Sequence, residues 1–259
     1  MPSITTPDGS SIHYEVEGSA GAPALMMCNS LGTDLHMWDG QAPELLKHFR
    51  LVRYDRRGHG KSTSSKAQGS MELLSHDALA VADAAGIKTF NWCGLSMGGM
   101  VGQWIAANRP ERITKMVISN THYYYPDKTP WNDRIKIAQE QGTSALAPVQ
   151  LARWFTPGFI KDHPADVENV GKMFSATKVD GFVACCQAGR DMDFREMSPK
   201  IKTPTLVIVG SQDKATPPEA GEAIHKMIPG SKLAAVDGAH LSNIEKPADY
   251  LKAMLGFLL

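Results

Sequence analysis

The amino-acid sequence predicts an α/β fold built on a mostly parallel β-sheet with helices on both faces. From residue 24 onward, apolar segments with strand character alternate with segments that have helical spacing, and this alternation is typical of parallel strands joined by helices. The alternation stops between residues 120 and 198, where short helices alone are predicted, and it resumes at residue 205. A chain of 259 residues is long enough for one large domain with a substantial core.

The predicted strands differ in burial. In residues 12–17 apolar and polar side chains alternate, which indicates a half-exposed strand. The Pro-Asp-Gly turn at residues 7–9 makes it the second strand of an antiparallel opening hairpin. Residues 24–28 are continuously apolar, which is typical of a buried strand. The further predicted strands are residues 49–54, 89–93, 113–119, 205–209 and 232–236.

Helices are predicted between these strands. Residues 71–85 have helical spacing, with Ser70 as the N-cap and Gly86 after the last turn. The helix after residue 99 ends near the Asn-Arg-Pro sequence at residues 108–110. The other helices predicted for the core are residues 43–48, 218–227 and 247–258.

Residues 120–198 are predicted to form a helical insertion and not a continuation of the sheet. They lie between two core strands, and this position favours a lid over a site at the edge of the sheet, with a second structural domain as the alternative. We therefore expect a core of residues 1–119 and 199–259 and a lid of residues 120–198. Pro and Gly residues separate the helices predicted within the lid, which are residues 135–140, 145–154, 167–176 and 181–189.

Composition excludes several classes of protein. Lys and Arg together number 27, as do Asp and Glu, so the formal net charge is zero and neither nucleic acid nor an anionic membrane is an expected partner. The N-terminal residues have neither a basic nor an apolar region, so no signal peptide is predicted, and no apolar run reaches the length of a membrane span. The four cysteines lack metal-ligand spacing, which favours reduced thiols in a cytoplasmic protein. Composition makes no prediction about oligomeric state.

Residues 93–99 (Cys-Gly-Leu-Ser-Met-Gly-Gly) contain a Gly-x-Ser-x-Gly motif between a predicted strand and a predicted helix. This context is typical of a nucleophile elbow, a sharp turn that lifts a serine hydroxyl above the sheet. Gly94 and Gly98 are expected to allow close approach of neighbouring backbone, and the first N–H groups of the helix point toward the group that Ser96 attacks. The motif alone is weak, because it also occurs in loops by chance.

A serine hydroxyl becomes a strong nucleophile when a base takes its proton and an acid orients that base. In hydrolases with a doubly wound sheet the order along the chain is Ser, acid, His, each on a loop after a strand. Asp213 follows the strand at residues 205–209, and His240 follows the strand at residues 232–236. Both therefore lie at strand ends, where sites form in open α/β sheets. We predict a triad of these two residues with Ser96.

Two other residues compete for the roles of base and acid. His59 lies in the Gly-rich loop of residues 55–62, near the same edge of the sheet, but its position does not fit the required order. A structural hydrogen bond is expected for this histidine. Asp237 is only three residues from His240, and this short separation favours Asp213 as the acid.

An oxyanion hole requires two backbone donors. One is expected from Met97, the residue after the nucleophile. The other is expected from Leu31, in the loop of residues 29–33 (Asn-Ser-Leu-Gly-Thr) that follows the buried strand at residues 24–28. Gly32 allows this loop to turn so that the N–H of Leu31 points inward.

These motifs resemble the 3-oxoadipate enol-lactonases of the α/β-hydrolase superfamily, and the resemblance runs nearly from end to end. Residues 29–33, together with residues 37–39, look like that family's version of the oxyanion loop, with Asn-Ser where many other relatives have His-Gly. Residues 53–60 are similar to its Arg-Tyr-Asp-x-Arg-Gly-His-Gly loop, with Arg56 where the family has a smaller residue. The oxyanion loop and the lid motifs are more specific than the Ser-Asp-His set. The match is completed by the elbow at residues 93–99, by the lid motifs at residues 131–135 and 153–157, and by residues 213–218 and 239–243 around the predicted acid and base.

The resemblance implies an α/β-hydrolase fold with a mostly parallel eight-stranded sheet and a helical lid. It further implies that the triad opens a five-membered anionic enol-lactone in the catabolism of aromatic compounds, without a metal or an organic cofactor. Arg134 in the lid is expected to bind the substrate carboxylate, with Trp131 and Trp154 as apolar walls. The alternatives are a solvated helix residue for Arg134 and lid packing for each tryptophan.

Other functions remain open on the same residues. The first alternative is a carboxylesterase or lactonase of broader specificity, and the second is C–C bond hydrolysis or perhydrolysis. Haloalkane dehalogenases and epoxide hydrolases have Asp at the elbow, so Ser96 argues against both. A non-catalytic small-molecule receptor is the alternative from another class of protein, and the complete triad argues against it.

Overall fold

A computed structural model describes residues 2–259. Within these residues, eight strands form one sheet in the order β1-β2-β4-β3-β5-β6-β7-β8. The pairs β1–β2 and β2–β4 are antiparallel, and all other neighbouring pairs are parallel. The predicted α/β fold with its antiparallel opening hairpin is therefore confirmed. The strands are β1 (Ser3–Thr5), β2 (Ser11–Glu17), β3 (Ala24–Cys28), β4 (Arg50–Tyr54), β5 (Phe90–Leu95), β6 (Ile113–Ser119), β7 (Thr205–Gly210) and β8 (Lys232–Val236).

Helices cover both faces of this sheet. On β5, the indole of Trp92 faces α3 and donates to the carbonyl of Gly98 (3.1 Å), whereas the thiol of Cys93 lies 3.6 Å from the hydroxyl of Tyr250 on α11. Successive side chains of a strand point to opposite faces, so α3 and α11 lie on opposite sides. The helices are α1 (Ala42–Leu45), α2 (Met71–Ala84), α3 (Met97–Asn108), α4 (Thr129–Gln141), α5 (Ala147–Trp154), α6 (Pro157–Asp162), α7 (Pro164–Ala176), α8 (Val179–Asp191), α9 (Pro218–Met227), α10 (Ser242–Glu245) and α11 (Pro247–Leu258).

The lid segment differs from its prediction mainly where proline occurs. Pro130, Pro157 and Pro164 each stand in the first turn of a helix, where the missing N–H has no partner to lose. Because these prolines were interpreted as helix breaks, the helix predicted at residues 135–140 is shorter than α4, and α6 was not predicted. Helices α4 to α8 all lie between β6 and β7, in the segment predicted as a lid. The division into core and lid stays a prediction.

Smaller differences concern the ends of elements. Helix α1 ends at Leu45 and not at His48, and β5 continues to Leu95. Across the sheet, Cys28 pairs with Gly94, and Leu95 pairs with Ser119. The loops after β3, β5 and β6 therefore begin at the same edge of the sheet.

Two further findings concern the whole described chain. Among residues 2–259, no helix combines the length and the apolar character that crossing a bilayer requires. The four cysteines, Cys28, Cys93, Cys185 and Cys186, are free and buried. Burial raises the pKa of the Cys93 thiol to about 12 and that of Cys185 to about 11, so both are neutral and behave as small apolar side chains.

Candidate active site

Ser96 lies in the sharp turn between β5 and α3, with backbone angles φ 56° and ψ −115°. The two flanking glycines are sterically required. A Cβ on Gly98 would lie 2.1 Å from the carbonyl oxygen of Cys28, and one on Gly94 would lie 2.2 Å from the carbonyl oxygen of Gly98. The structure thus has the strand–turn–helix geometry that the motif predicts, with Ser96 at the N-terminus of α3.

Neighbouring residues hold the strained turn in place. A non-glycine residue at positive φ costs about 1–3 kcal/mol, so the surroundings must enforce this conformation. The N–H of Ser96 donates to the carbonyl of Ser119 (2.9 Å), and the hydroxyl of Thr121 donates to the carbonyl of Ser96 (2.7 Å). Both partners lie at or just after the end of β6, so the sheet itself restrains the elbow.

Asp213 and His240 meet at the ends of β7 and β8. The Nδ1–H of His240 donates to Oδ2 of Asp213 at 2.8 Å, and both side chains are buried. The hydroxyl of Thr216 donates to the same carboxylate oxygen at 2.7 Å. The other carboxylate oxygen accepts the N–H groups of Ala215 (2.7 Å) and Thr216 (3.0 Å). This geometry fixes the imidazole tautomer with Nε2 free to accept a proton.

The environment of Asp213 keeps it ionised. Burial raises the pKa of its carboxyl group, but the charge of His240 and the hydrogen bonds from His240 and Thr216 outweigh burial, so the net pKa lies below its usual value. The carboxylate is therefore charged at neutral pH and can stabilise an imidazolium formed at His240.

Asn120 belongs to this cluster and was not predicted from the sequence. Its Nδ2 donates to Oδ2 of Asp213 (3.0 Å) and to the carbonyl of Ala239 (3.3 Å), and its Oδ1 accepts from the hydroxyl of Ser242 (2.9 Å). Asn120 has φ 47°, a left-handed conformation that Asn tolerates better than most residues. One side chain thus joins the acid to the backbone of Ala239 and to the side chain of Ser242, which lie on either side of His240 in the sequence.

The two competing residues lie elsewhere. Asp237 is exposed and accepts from Ser211 (3.0 Å) and Gln212 (2.9 Å). His59 is fully buried; its Nδ1–H donates to the carbonyl of Arg57, and its Nε2 accepts the N–H of Gly32, both at 2.9 Å. His59 thus makes the structural hydrogen bonds expected of it, and they reach the oxyanion loop.

A pH-dependent contribution to stability follows from His59. Burial lowers its pKa to about 3, and the nearby Arg56 charge acts in the same direction. In the unfolded chain the value is about 6.5, so below that pH the unfolded state binds a proton that the folded state does not. Stability is therefore lost as pH falls from about 6.5 toward 4, by about 1.4 kcal/mol per pH unit for one proton.

We expect His59→Gln to flatten this dependence, because Gln can accept from Gly32 without titrating. The measurement is the free energy of unfolding by urea between pH 7 and pH 4. The exposed His163, changed to Gln, is the matched control and should reproduce the wild-type slope. If the free energy of unfolding changes equally with pH in the wild type and in both variants, His59 is not buried in its neutral form.

The oxyanion loop is held from several sides. Gly32 has φ 80°, and the carbonyl of Asn29 accepts the N–H of Gly98 (3.1 Å). The guanidinium of Arg56 donates from Nη2 to the carbonyls of Asn29 and Ser30, both at 2.8 Å. Arg56 is 1% exposed and lies outside the lining of the cavity, so it does not contact the substrate space.

A cavity of about 130 Å³ joins the elbow, the histidine and the lid. From the core it is lined by Ser30, Leu31, Ser96, Met97, Ala215, Thr216 and His240. From the lid segment it is lined by Tyr125, Asp127, Pro130, Trp131, Arg134, Gln150, Arg153, Trp154, Phe174 and Phe182. Every residue predicted for the site, except the buried Asp213 behind His240, therefore faces one space.

Trp154 connects the segment of residues 120–198 to His240. Its ring lies nearly parallel to the imidazole of His240, with 6.0 Å between the ring centroids. Its carbonyl accepts the N–H of Leu241 at 3.1 Å. Two residues further on, the hydroxyl of Thr156 donates to Glu245, whose other carboxylate oxygen accepts the N–H of Ala239 at 2.9 Å.

Two arginines face the cavity. Arg134 lies over the ring of Trp131, with 4.8 Å from its guanidinium carbon to the ring centroid, and burial lowers its pKa. Arg153 was not predicted; it donates to the carbonyl of Lys214 at 3.0 Å. Among residues 2–259 neither arginine forms an ion pair. The one carboxylate at the cavity, Asp127, is exposed and accepts the N–H of Thr129.

The described part of the chain presents no cluster of metal ligands. Within residues 2–259, no group of three or more His, Cys, Asp or Glu side chains is arranged to hold a metal ion. The groups that the site does present are a serine hydroxyl, a histidine, a carboxylate, backbone donors and two guanidinium groups.

Known proteins share this architecture. The family model described as alpha/beta hydrolase fold matches residues 23–141, and one described as serine hydrolase matches residues 165–246. The 3-oxoadipate enol-lactonase 2 of Acinetobacter baylyi is 35% identical, over 94% of this chain and 91% of its own length. The crystal structure of the enol-lactonase from Burkholderia xenovorans superposes with a TM-score of 0.96 at 36% identity, covering 99% of both chains. A hydrolase from Pseudomonas aeruginosa gives a TM-score of 0.96 at 38% identity, covering 99% of this chain and 97% of its own.

The sheet topology, the elbow and these similarities define an α/β-hydrolase, and the chain is an enzyme of that class. Within the class, identity above 30% over nearly the full length of the chain decides the family. The chain belongs to the 3-oxoadipate enol-lactonase family.

Proposed function

We propose that this hydrolase opens a small anionic enol-lactone, 3-oxoadipate enol-lactone, to give 3-oxoadipate in the catabolism of aromatic compounds. Ser96 is the nucleophile, His240 the base and Asp213 the acid that orients it. The observation that carries the substrate class is the pair of arginines, Arg134 and Arg153, that face the cavity without carboxylate partners. An anion is the ligand that such a site favours.

The first step forms an acyl-enzyme. Ser96 Oγ attacks the lactone carbonyl while Nε2 of His240 takes its proton, and the ring C–O bond then breaks. The leaving group is an enolate, which is easily expelled and accepts the proton back from His240. Because Asp213 stays ionised, the imidazolium formed between these events is stabilised.

Negative charge develops on the carbonyl oxygen during this attack. The N–H groups of Leu31 and Met97 are proposed to bind it, and both residues line the cavity beside Ser96. The N-terminal end of α3 adds its dipole to the same position.

Reclosure of the ring must be avoided, since the leaving arm stays tethered to the acyl group. Ketonisation of the released enol removes the competing nucleophile. Water, deprotonated by His240, then attacks the Ser96 ester and releases the carboxylate. The product is a dicarboxylate, and Ser96 regains its proton.

We propose that residues 120–198 act as the lid of this site. The Tyr, Trp and Phe residues of the lining all come from this segment, as do both arginines. Aromatic walls exclude water from the acyl-enzyme until ketonisation is complete, and the two guanidinium groups hold the carboxymethyl arm.

The assay that tests this proposal follows the loss of ultraviolet absorbance of the enol-lactone and compares it with a panel of p-nitrophenyl esters. We expect a higher kcat/KM for the enol-lactone. A preference of several hundred-fold for neutral esters would contradict the proposed substrate and favour a carboxylesterase. Covalent labelling by a fluorophosphonate, read by mass spectrometry, distinguishes either enzyme from a non-catalytic receptor.

Arg134→Gln should raise the KM for the enol-lactone by about 30-fold, because a charge-assisted hydrogen bond to the carboxylate is lost. The KM for neutral p-nitrophenyl acetate should stay within about twofold, since that ester has no carboxylate. The matched control is Arg195→Gln, which removes an exposed lid arginine that pairs with Asp193. An unchanged KM for the enol-lactone would show that Arg134 has no role in anion binding.

A further inference from the structure

Arg56 and Arg57 are adjacent buried arginines with different partners. Arg57 forms ion pairs with Asp77 (2.7 Å) and Asp8 (2.8 Å). Arg56 makes no ion pair among residues 2–259, and its Nε and Nη1 have no hydrogen-bond partner there. Its charge is therefore directed at two backbone carbonyls, those of Asn29 and Ser30. Burial of a cation without a carboxylate partner lowers the stability of the folded protein. The two hydrogen bonds from Arg56 therefore call for an explanation in terms of the loop that they hold.

The contact with Ser30 restricts the direction in which the next N–H points. A trans peptide is planar, and its C=O and N–H point in opposite directions. Arg56 binds the carbonyl of Ser30 from the interior of the protein, while the following residue, Leu31, lines the cavity. The N–H of Leu31 belongs to the same peptide and therefore points away from Arg56.

The charge also changes the strength of that donor. A hydrogen bond to a cation is about twice as strong as a neutral one, and it polarises the peptide so that its N–H becomes a better donor. The other donors to Ser30 are the N–H and the hydroxyl of Thr33, at 3.2 and 2.9 Å. Both are neutral, so Arg56 is the one charged donor to this carbonyl among residues 2–259.

We propose that Arg56 is a positioning residue for the oxyanion hole, which orients and polarises the Ser30–Leu31 peptide so that the N–H of Leu31 binds the oxyanion. This inference rests on the proposed function, in that Leu31 is taken as an oxyanion donor. It does not depend on which ester or lactone is the substrate, because every tetrahedral intermediate at Ser96 carries the same oxyanion.

The test uses p-nitrophenyl acetate as the substrate and phenylboronic acid as a mimic of the tetrahedral intermediate. Arg56→Met keeps the apolar stem and removes the charge. We expect kcat per active site to fall about 30-fold with KM within about threefold, since the oxyanion forms only in the transition state. The affinity for the boronic acid should fall by the same factor as kcat/KM. Arg56→Lys, which restores a charged donor, should recover part of both losses.

Stability is controlled separately. Active sites are counted by complete fluorophosphonate labelling and mass spectrometry, so unfolded protein does not enter kcat. Arg53→Met removes another buried arginine, which pairs with Glu17 and Asp39 and makes no hydrogen bond to residues 29–33; it should lower the melting temperature and leave kcat per site unchanged. If Arg56→Met does not fold, the comparison of Arg56→Lys with Arg56→Gln carries the test, with Gln expected to be the slower of the two.

The proposal is overturned if the variants without a charge at position 56 keep kcat per site and boronic acid affinity within twofold of wild type. If the wild-type protein hydrolyses neutral esters but not the enol-lactone, the proposed substrate is wrong, whereas the proposed role of Arg56 is still tested by the ester assay. Ester hydrolysis that survives Ser96→Ala would overturn both.

Discussion

Ser96→Ala should lower kcat for the enol-lactone by about 10⁵-fold or more, because loss of a serine nucleophile removes the covalent pathway. KM should change little, since the arginines and aromatic walls of the cavity remain. Activity is measured by the ultraviolet assay, with adduct formation by a fluorophosphonate as a second measure. Ser211→Ala is the matched control, because Ser211 is an exposed serine after β7 that donates to Asp237.

The outcome that would contradict a nucleophilic Ser96 is specific. Activity within about tenfold of wild type, or a fluorophosphonate adduct that maps to another serine, would assign the covalent step elsewhere. A smaller residual activity is expected in any case, since the oxyanion donors and the binding groups still act on water.

Asp213→Asn should lower kcat by about 10⁴-fold, because an amide no longer holds the Nδ1–H tautomer of His240 or stabilises its protonated form. Asn120 strengthens this expectation. Its amide already donates to Asp213 at 3.0 Å, so an amide at position 213 would face another donor in a buried site. The measurement is kcat for the enol-lactone from pH 6 to pH 9.

Asp237→Asn is the matched control for this experiment. Asp237 lies three residues before His240 in the sequence, yet it is exposed and bonded to Ser211 and Gln212. Its replacement should leave kcat within about twofold of wild type. A large loss of kcat in Asp237→Asn together with a small loss in Asp213→Asn would identify Asp237, and not Asp213, as the acid that orients His240.

The features of this molecule that follow from local pattern could be predicted from the sequence. The sheet follows from the alternation of apolar strands and helices, and the elbow from the spacing of Gly94, Ser96 and Gly98. The candidate acid and base follow from their positions after β7 and β8. Each of these depends on residues that are close along the chain, or on the rule that parallel strands end at the same edge.

The features that depend on long-range contacts could not be predicted. Asn120 is 93 residues from Asp213 in the sequence, and nothing near Asn120 marks it as a partner of the acid. Arg153 faces the cavity because α5 packs back toward His240. Arg56 stands where the family has a smaller residue, and nothing near it in the sequence indicates its contacts with the backbone of the oxyanion loop. Tertiary packing decides all three.

The stacking of Trp154 on His240 has a consequence for how this enzyme can change its substrate. The proposed wall residue Trp154 and the proposed base His240 are joined by the ring contact and by the hydrogen bond from the N–H of Leu241 to the carbonyl of Trp154. We expect a smaller side chain at position 154 to enlarge the site and also to remove the ring that packs on the imidazole. A broader substrate range gained at this wall should therefore come with slower proton transfer, whereas changes at Trp131 and Arg134, which do not contact His240, should leave proton transfer unaffected.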